Sequence, residues 1–121
     1  MNIVLIGFRG TGKSTVGRLL AKRLERNFID SDKHIEGSTG KTIKSIFEDD
    51  GEEGFRKIEA GVIAELSKED NKVISAGGGA VLREENVNNL KNNGFLILLE
   101  ATPEIIHSRI VQDEKTTQQR P

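Results

Sequence analysis

Ile3-Val4-Leu5-Ile6-Gly7-Phe8-Arg9-Gly10-Thr11-Gly12-Lys13-Ser14-Thr15-Val16 decides how this chain is read. The four opening residues are an apolar run with β-branched members, closed by a glycine, which predicts a buried strand. The far end enters a helix, because Val16, Leu19, Leu20 and Leu24 fall on one helical face. Between strand and helix, residues 7–14 match G-x-x-x-x-G-K-[ST] in full. Glycines there let successive backbone N–H groups point into one concavity. The N-terminal end of the following helix adds partial positive charge. Lys13 would then reach β- and γ-phosphate oxygens, and the Ser14 hydroxyl would ligate Mg²⁺. A chance match somewhere along a chain of this composition has odds of about one in a hundred. The competing reading is a glycine-rich turn with an exposed lysine.

Working outward, Asn27-Phe28-Ile29-Asp30 reads as a second strand ending in an acid, and Lys72-Val73-Ile74-Ser75 as a third. Phe95-Leu96-Ile97-Leu98-Leu99 reads as a fourth, buried strand. Residues 43–66 carry helical spacing in two pieces. Thr42 is a candidate cap for the first, which runs to about residue 47. Gly51 and Gly54 mark a break, and Phe55, Ile58, Val62, Ile63 and Leu66 form the second stripe. Residues 84–92 read as a helix, and Pro103 suits the first turn of another. Strands alternating with helices predict an α/β fold, a parallel sheet with helices on both faces. Residues 112–120 are polar and without periodicity, and read as a mobile loop.

At 121 residues the chain is long enough for one domain and not comfortably for two. Its 18 Lys+Arg against 19 Asp+Glu give −1, which offers no support for wholesale nucleic-acid binding. It has no cysteine, which excludes disulfides, thiolate metal sites and a cysteine nucleophile, and fits a reducing cytoplasm. Its apolar runs are too short to span a membrane. Residues 1–6 lack the basic region and cleavage site of a signal peptide.

A phosphate loop implies a nucleotide and leaves the acceptor open. Asp30 and Asp32 stand at the end of the second strand, where parallel sheets present ligands. One could hold a water on Mg²⁺ and the other accept a hydroxyl proton; equally, they could form a solvated turn that caps a helix. Arg56 and Glu59 are helical i, i+3 neighbours. Taken alone, that pair reads better as a surface salt bridge than as a guanidinium aimed at a substrate carboxylate. Gly77-Gly78-Gly79-Ala80 after the third strand allows close backbone approach to a ligand, or is simply a tight turn. His34 and His107 show no ligand spacing. The acidic run at 48–53 reads as a solvated turn.

These motifs, in this order, resemble the shikimate kinase family over the whole sequence. They comprise the phosphate loop, Phe28-x-Asp30-x-Asp32, Gly51-Glu52-x-x-Phe55-Arg56-x-x-Glu59, Gly77-Gly78-Gly79-Ala80 and Arg120-Pro121. The resemblance implies a P-loop NTPase-like three-layer α/β sandwich with a parallel sheet, forming one domain over residues 1–121. An acceptor-binding helical region would cover about 32–66, and a lid would begin at about 111–121. It implies transfer of the ATP γ-phosphoryl group to the 3-hydroxyl of shikimate, with Mg²⁺, in a cytoplasmic protein that is monomeric when complete. No nucleic acid or membrane partner is expected.

Family roles carry over to matching positions. Asp32 would hold the acceptor hydroxyl and take its proton. Lys13 and Arg120 would neutralise developing charge. Gly10, Thr11, Gly12, Lys13, Ser14, Thr15 and Arg109 would contact nucleotide, and Ser14 and Asp30 would serve Mg²⁺. Asp32, Arg56, Gly78 and Gly79 would bind shikimate, supported by Glu59, Phe47 and Phe55. The family continues past Arg-Pro, so the chain is expected to be C-terminally incomplete, without the closing strand and helix. The alternatives are a P-loop kinase for gluconate or a nucleoside monophosphate, and a non-catalytic nucleotide-binding remnant.

Overall fold

The computed structural model describes residues 1–7 and 12–99. Strand β1 (Asn2–Gly7) leads to α1 (Lys13–Leu24), then β2 (Asn27–Asp30), α2 (Ser31–Thr39) and α3 (Ile43–Ser67). Strand β3 (Lys72–Ser75), a 3-10 turn (Ala80–Leu82), α4 (Glu84–Asn92) and β4 (Gly94–Leu99) follow. The strands form one parallel sheet in the order β2-β3-β1-β4. The helix expected from Pro103, the polar stretch at 112–120 and the expected lid lie outside the described residues.

Alternation along the strands divides the core in two. Val4, Ile6, Ile29, Ile74 and Leu96 meet Ile35, Ile46, Val62, Ile63, Leu66 and Leu90 from α2, α3 and α4. Their neighbours Ile3, Leu5, Phe28, Val73, Ile97 and Leu99 meet Val16, Leu20 and Ala21 of α1. The result is three layers, helix on sheet on helix. Right-handed crossovers explain the sides: β1 to β2 travels one way across the sheet, and β2 to β3 and β3 to β4 travel the other. That reversal opens a crevice at the carboxyl ends of β1 and β3.

Local chemistry sets the helix boundaries. Asp30 caps α2, its carboxylate accepting from the Asp32 and Lys33 N–H groups at 3.0 and 3.2 Å. The Thr42 hydroxyl caps α3 by accepting from the Ser45 N–H at 3.1 Å, and Glu36 accepts from the Ile43 N–H at 2.9 Å. The break in α3 falls at Gly51 alone, with φ 72°. Gly54, the other expected break, stays helical, and the space beside it is filled by Asp50, whose Cβ lies 2.5 Å from where a Gly54 Cβ would stand. One expectation fails: β4 is only partly buried, with Phe95 62% and Leu98 55% exposed. It pairs with β1 alone among the described strands, and α1 is centred over β1, β2 and β3, reaching β4 only at Ile97 and Leu99.

Candidate active site

The crevice holds a cavity of about 280 Å³. Lys13 of α1, Asp32 of α2, Phe47, Phe55, Arg56 and Glu59 of α3, and the backbone at 77–79 line it, with Ile43. On the phosphate side, Gly12 adopts a left-handed conformation (φ 77°) that turns the chain into α1. The Lys13 ammonium donates to the Gly7 carbonyl at 2.6 Å. The Ser14 hydroxyl donates to Asp30 at 2.9 Å. Asp30 therefore caps α2 with one carboxylate oxygen and holds Ser14 with the other, so the cap and the phosphate-side partner are one residue. Thr15 is exposed on the first turn of α1.

On the acceptor side, the Arg56 guanidinium donates to Glu59 at 3.0 Å. Glu59 is 1% exposed, so the surface salt bridge favoured from spacing alone is wrong. Helical spacing determines that the two residues meet; packing of α3 against the sheet determines that they meet in the interior. Phe47 and Phe55 pack with ring centroids 4.6 Å apart, and Arg56 lies 5.2 Å over the Phe55 ring. Two glycines stand in close approach to the charged groups of the cavity. A Cβ on Gly79 would lie 2.4 Å from the Arg56 guanidinium nitrogens, and one on Gly77 would lie 2.7 Å from Asp32 Oδ1.

The charges are mutually tuned. Burial pushes the Asp32 carboxyl above its ordinary value, and the neighbouring Asp30 adds to this, while Lys13 and Arg56 oppose it. Burial raises Glu59 in the same way, against the pull of its Arg56 hydrogen bond. Burial lowers Lys13, and Asp32 and Asp30 act against that shift. A half-buried carboxylate beside an ammonium, with a guanidinium beyond, suits proton acceptance next to an anionic ligand. Among the described residues no group of three His, Cys, Asp or Glu side chains is arranged to hold a metal ion, the acidic run at 48–53 included.

A family model described as shikimate kinase matches residues 9–121. The chain belongs to the shikimate kinase family. Shikimate kinase of Symbiobacterium thermophilum is 53% identical over 109 residues, which cover 90% of this chain and 63% of that protein. Shikimate kinase of Pelotomaculum thermopropionicum is 57% identical over 109 residues, with 90% and 63% covered. A solved structure of shikimate kinase from Acinetobacter baumannii in complex with shikimate aligns with a TM-score of 0.81 and 44% identity, covering 93% of this chain and 63% of that one. The chain thus spans less than two thirds of the length of the curated relatives it matches.

The fold brings together the family motifs that sequence alone could only order: Lys13, Asp32, Phe47, Phe55, Arg56, Glu59, Gly78 and Gly79 all line the one cavity. Gly10, Thr11, Arg109 and Arg120 lie outside the described residues. Among the described residues no helix is long and apolar enough to cross a membrane. Two contributors escaped sequence reasoning. Ile43 lines the cavity, and the fully buried Ser31 hydroxyl accepts from the Gly77 N–H at 2.9 Å. No local signal marks Ser31, because its partner is 46 residues away.

Proposed function

We propose that this chain carries shikimate kinase activity, transferring the ATP γ-phosphoryl group to the 3-hydroxyl of shikimate. The observation that carries the reading is the single cavity in which Lys13, Asp32, the Arg56–Glu59 pair and the glycine backbone converge. The domain is read as one unit, with residues 32–66 serving the acceptor.

Asp32 accepts the proton as the acceptor oxygen bonds to phosphorus, and the bond from phosphorus to the β–γ bridging oxygen breaks to leave ADP. Arg56 pairs the shikimate carboxylate through its planar fork of donors, and Glu59 fixes the direction of that fork. The backbone at Gly78 and Gly79 borders the ring, and Phe47 and Phe55 wall it. Lys13 offsets charge on the transferring group. Gly10, Thr11, Gly12 and Thr15 contact the nucleotide phosphates, Arg109 contacts the nucleotide, and Arg120 joins Lys13 in offsetting the developing charge.

Ser14 and Asp30 place a hydroxyl and a carboxylate side by side at 2.9 Å, hard oxygen donors of the kind Mg²⁺ takes. Bound there with phosphate oxygens, the ion would offset phosphate charge. A cytoplasmic setting and a monomeric working unit belong to the same proposal; light scattering on the eluted protein reads the second.

The test is ADP release from MgATP with and without shikimate, gluconate and nucleoside monophosphates. Release that only shikimate stimulates, and that Lys13→Ala abolishes, supports the reading. Stimulation by another acceptor, or unchanged turnover in Lys13→Ala, overturns it.

A further inference from the structure

The acceptor side of the cavity has a wall made of backbone. Residues 77–80 turn away from β3, with the Ala80 N–H donating to the Gly77 carbonyl at 3.0 Å and the Leu82 N–H donating to the Gly79 carbonyl at 3.1 Å. Each end of this turn is held by a fully buried polar side chain. At the first end, the Gly77 N–H donates to Ser31 Oγ at 2.9 Å. The β2–β3 ladder ends at Asp30 opposite Ser75, where the chain leaves β2 for α2. The Ser31 hydroxyl supplies the acceptor that the departing strand no longer offers. At the second end, Asn86 Nδ2 of α4 donates to the Ala80 carbonyl at 2.9 Å. Asn86 Oδ1 finds no partner among the described residues, a cost that a residue serving only to pack would avoid.

The two charged groups of the acceptor site rest against this wall. Asp32 Oδ1 lies 2.7 Å from where a Gly77 Cβ would stand, and the Arg56 guanidinium lies 2.4 Å from where a Gly79 Cβ would stand. A shift of the turn therefore moves the contact surface of both groups at once. Neither Ser31 nor Asn86 lines the cavity. We propose that Ser31 and Asn86 are positioning residues, which hold the two ends of the 77–80 turn and through it set the gap between the Asp32 carboxylate and the Arg56 guanidinium. The inference rests on the reading of this cavity as the shikimate site.

A purely structural role would weaken every ligand together. A positioning role separates acceptor from nucleotide, since Ser14 and Lys13 are held by other partners. The experiment compares the full chain with its Ser31→Ala and Ser31→Thr variants. Calorimetric titration reads shikimate and ADP separately, and amide hydrogen exchange reads the Gly77 N–H without any ligand. Ser31→Ala is expected to speed exchange at Gly77 and to weaken shikimate about three- to tenfold, the worth of one net hydrogen bond. ADP affinity should stay within about twofold, and Ser31→Thr should restore both readouts. Asn86→Leu, close in volume, is expected to show the same split between ligands. Unchanged Gly77 exchange in Ser31→Ala overturns the clasp. Faster exchange with shikimate and ADP weakened equally, or with neither weakened, overturns the positioning role. A parent chain that binds ADP and no shikimate overturns the functional reading instead, while Gly77 exchange still reports on the clasp.

Discussion

The phosphate side and the acceptor side of the cavity are built by opposite means. The phosphate side is consecutive: Gly12, Lys13 and Ser14 stand at the start of one helix, and their spacing carries their geometry. The acceptor side is assembled from α2, α3 and the turn after β3, and its groups are oriented by buried partners such as Glu59 and Ser31. Phosphate looks alike in every nucleotide, so a backbone nest and a helix terminus suffice to grip it. On the proposed reading, a ring bearing a carboxylate and one reacting hydroxyl is held at two points, and a fixed distance between them comes only from packing. Damage to the acceptor side should therefore be separable from damage to the phosphate side.

The largest expected effect tests that separation at the reacting atom. Asp32→Asn should lower shikimate-dependent ADP release by about 10²- to 10⁴-fold, the usual worth of a general base, with ADP affinity preserved in a titration. Next comes Arg56→Lys, which keeps the charge and loses the planar fork. It should weaken shikimate about ten- to a hundredfold and leave MgATP affinity alone; equal losses for both ligands would erase the distinction between the two sides.

Glu59→Gln sharpens the comparison, because it separates orientation from stability. Burial raises the Glu59 carboxyl, so the folded protein binds its proton more tightly than the unfolded chain. The sign follows: stability is lost as pH rises from the ordinary carboxylate value through the raised one. Denaturant titrations from acid to neutral pH should show that slope in the parent and a flatter one in Glu59→Gln. Shikimate affinity at neutral pH should still fall severalfold in the variant, since a neutral amide holds the guanidinium less firmly. The smallest effect is Thr42→Ala. It removes the α3 cap and should cost about 1 kcal/mol of stability on thermal melting, with both ligand affinities within about twofold.

Much of the fold was legible because its signals are local. The four strands, α1, α4 and the second half of α3 fall where apolar periodicity predicts them, and Thr42 caps α3 as its position suggested. The carboxylates at 30 and 32 were legible as a pair, and their division of labour was not. Two positions apart, Asp30 turns back to cap α2 and hold Ser14, while Asp32 faces the cavity. Phe95 and Leu98 misled in the other direction, since an apolar run looks the same in a central strand and in one with a single partner among the described strands.

Sequence alone determined the phosphate loop, the alternating α/β order and the family to which the motifs belong. Each of these depends on residues within one or two turns of each other, whose spacing dictates which atoms meet. Only the tertiary structure decided that the Arg56–Glu59 pair is interior, that Ser31 reaches Gly77, and that Asp32 and Arg56 occupy the space beside Gly77 and Gly79. Those facts depend on distances between segments far apart in the chain. Such distances are set by how helices and sheet fill the core together, and no local pattern encodes them.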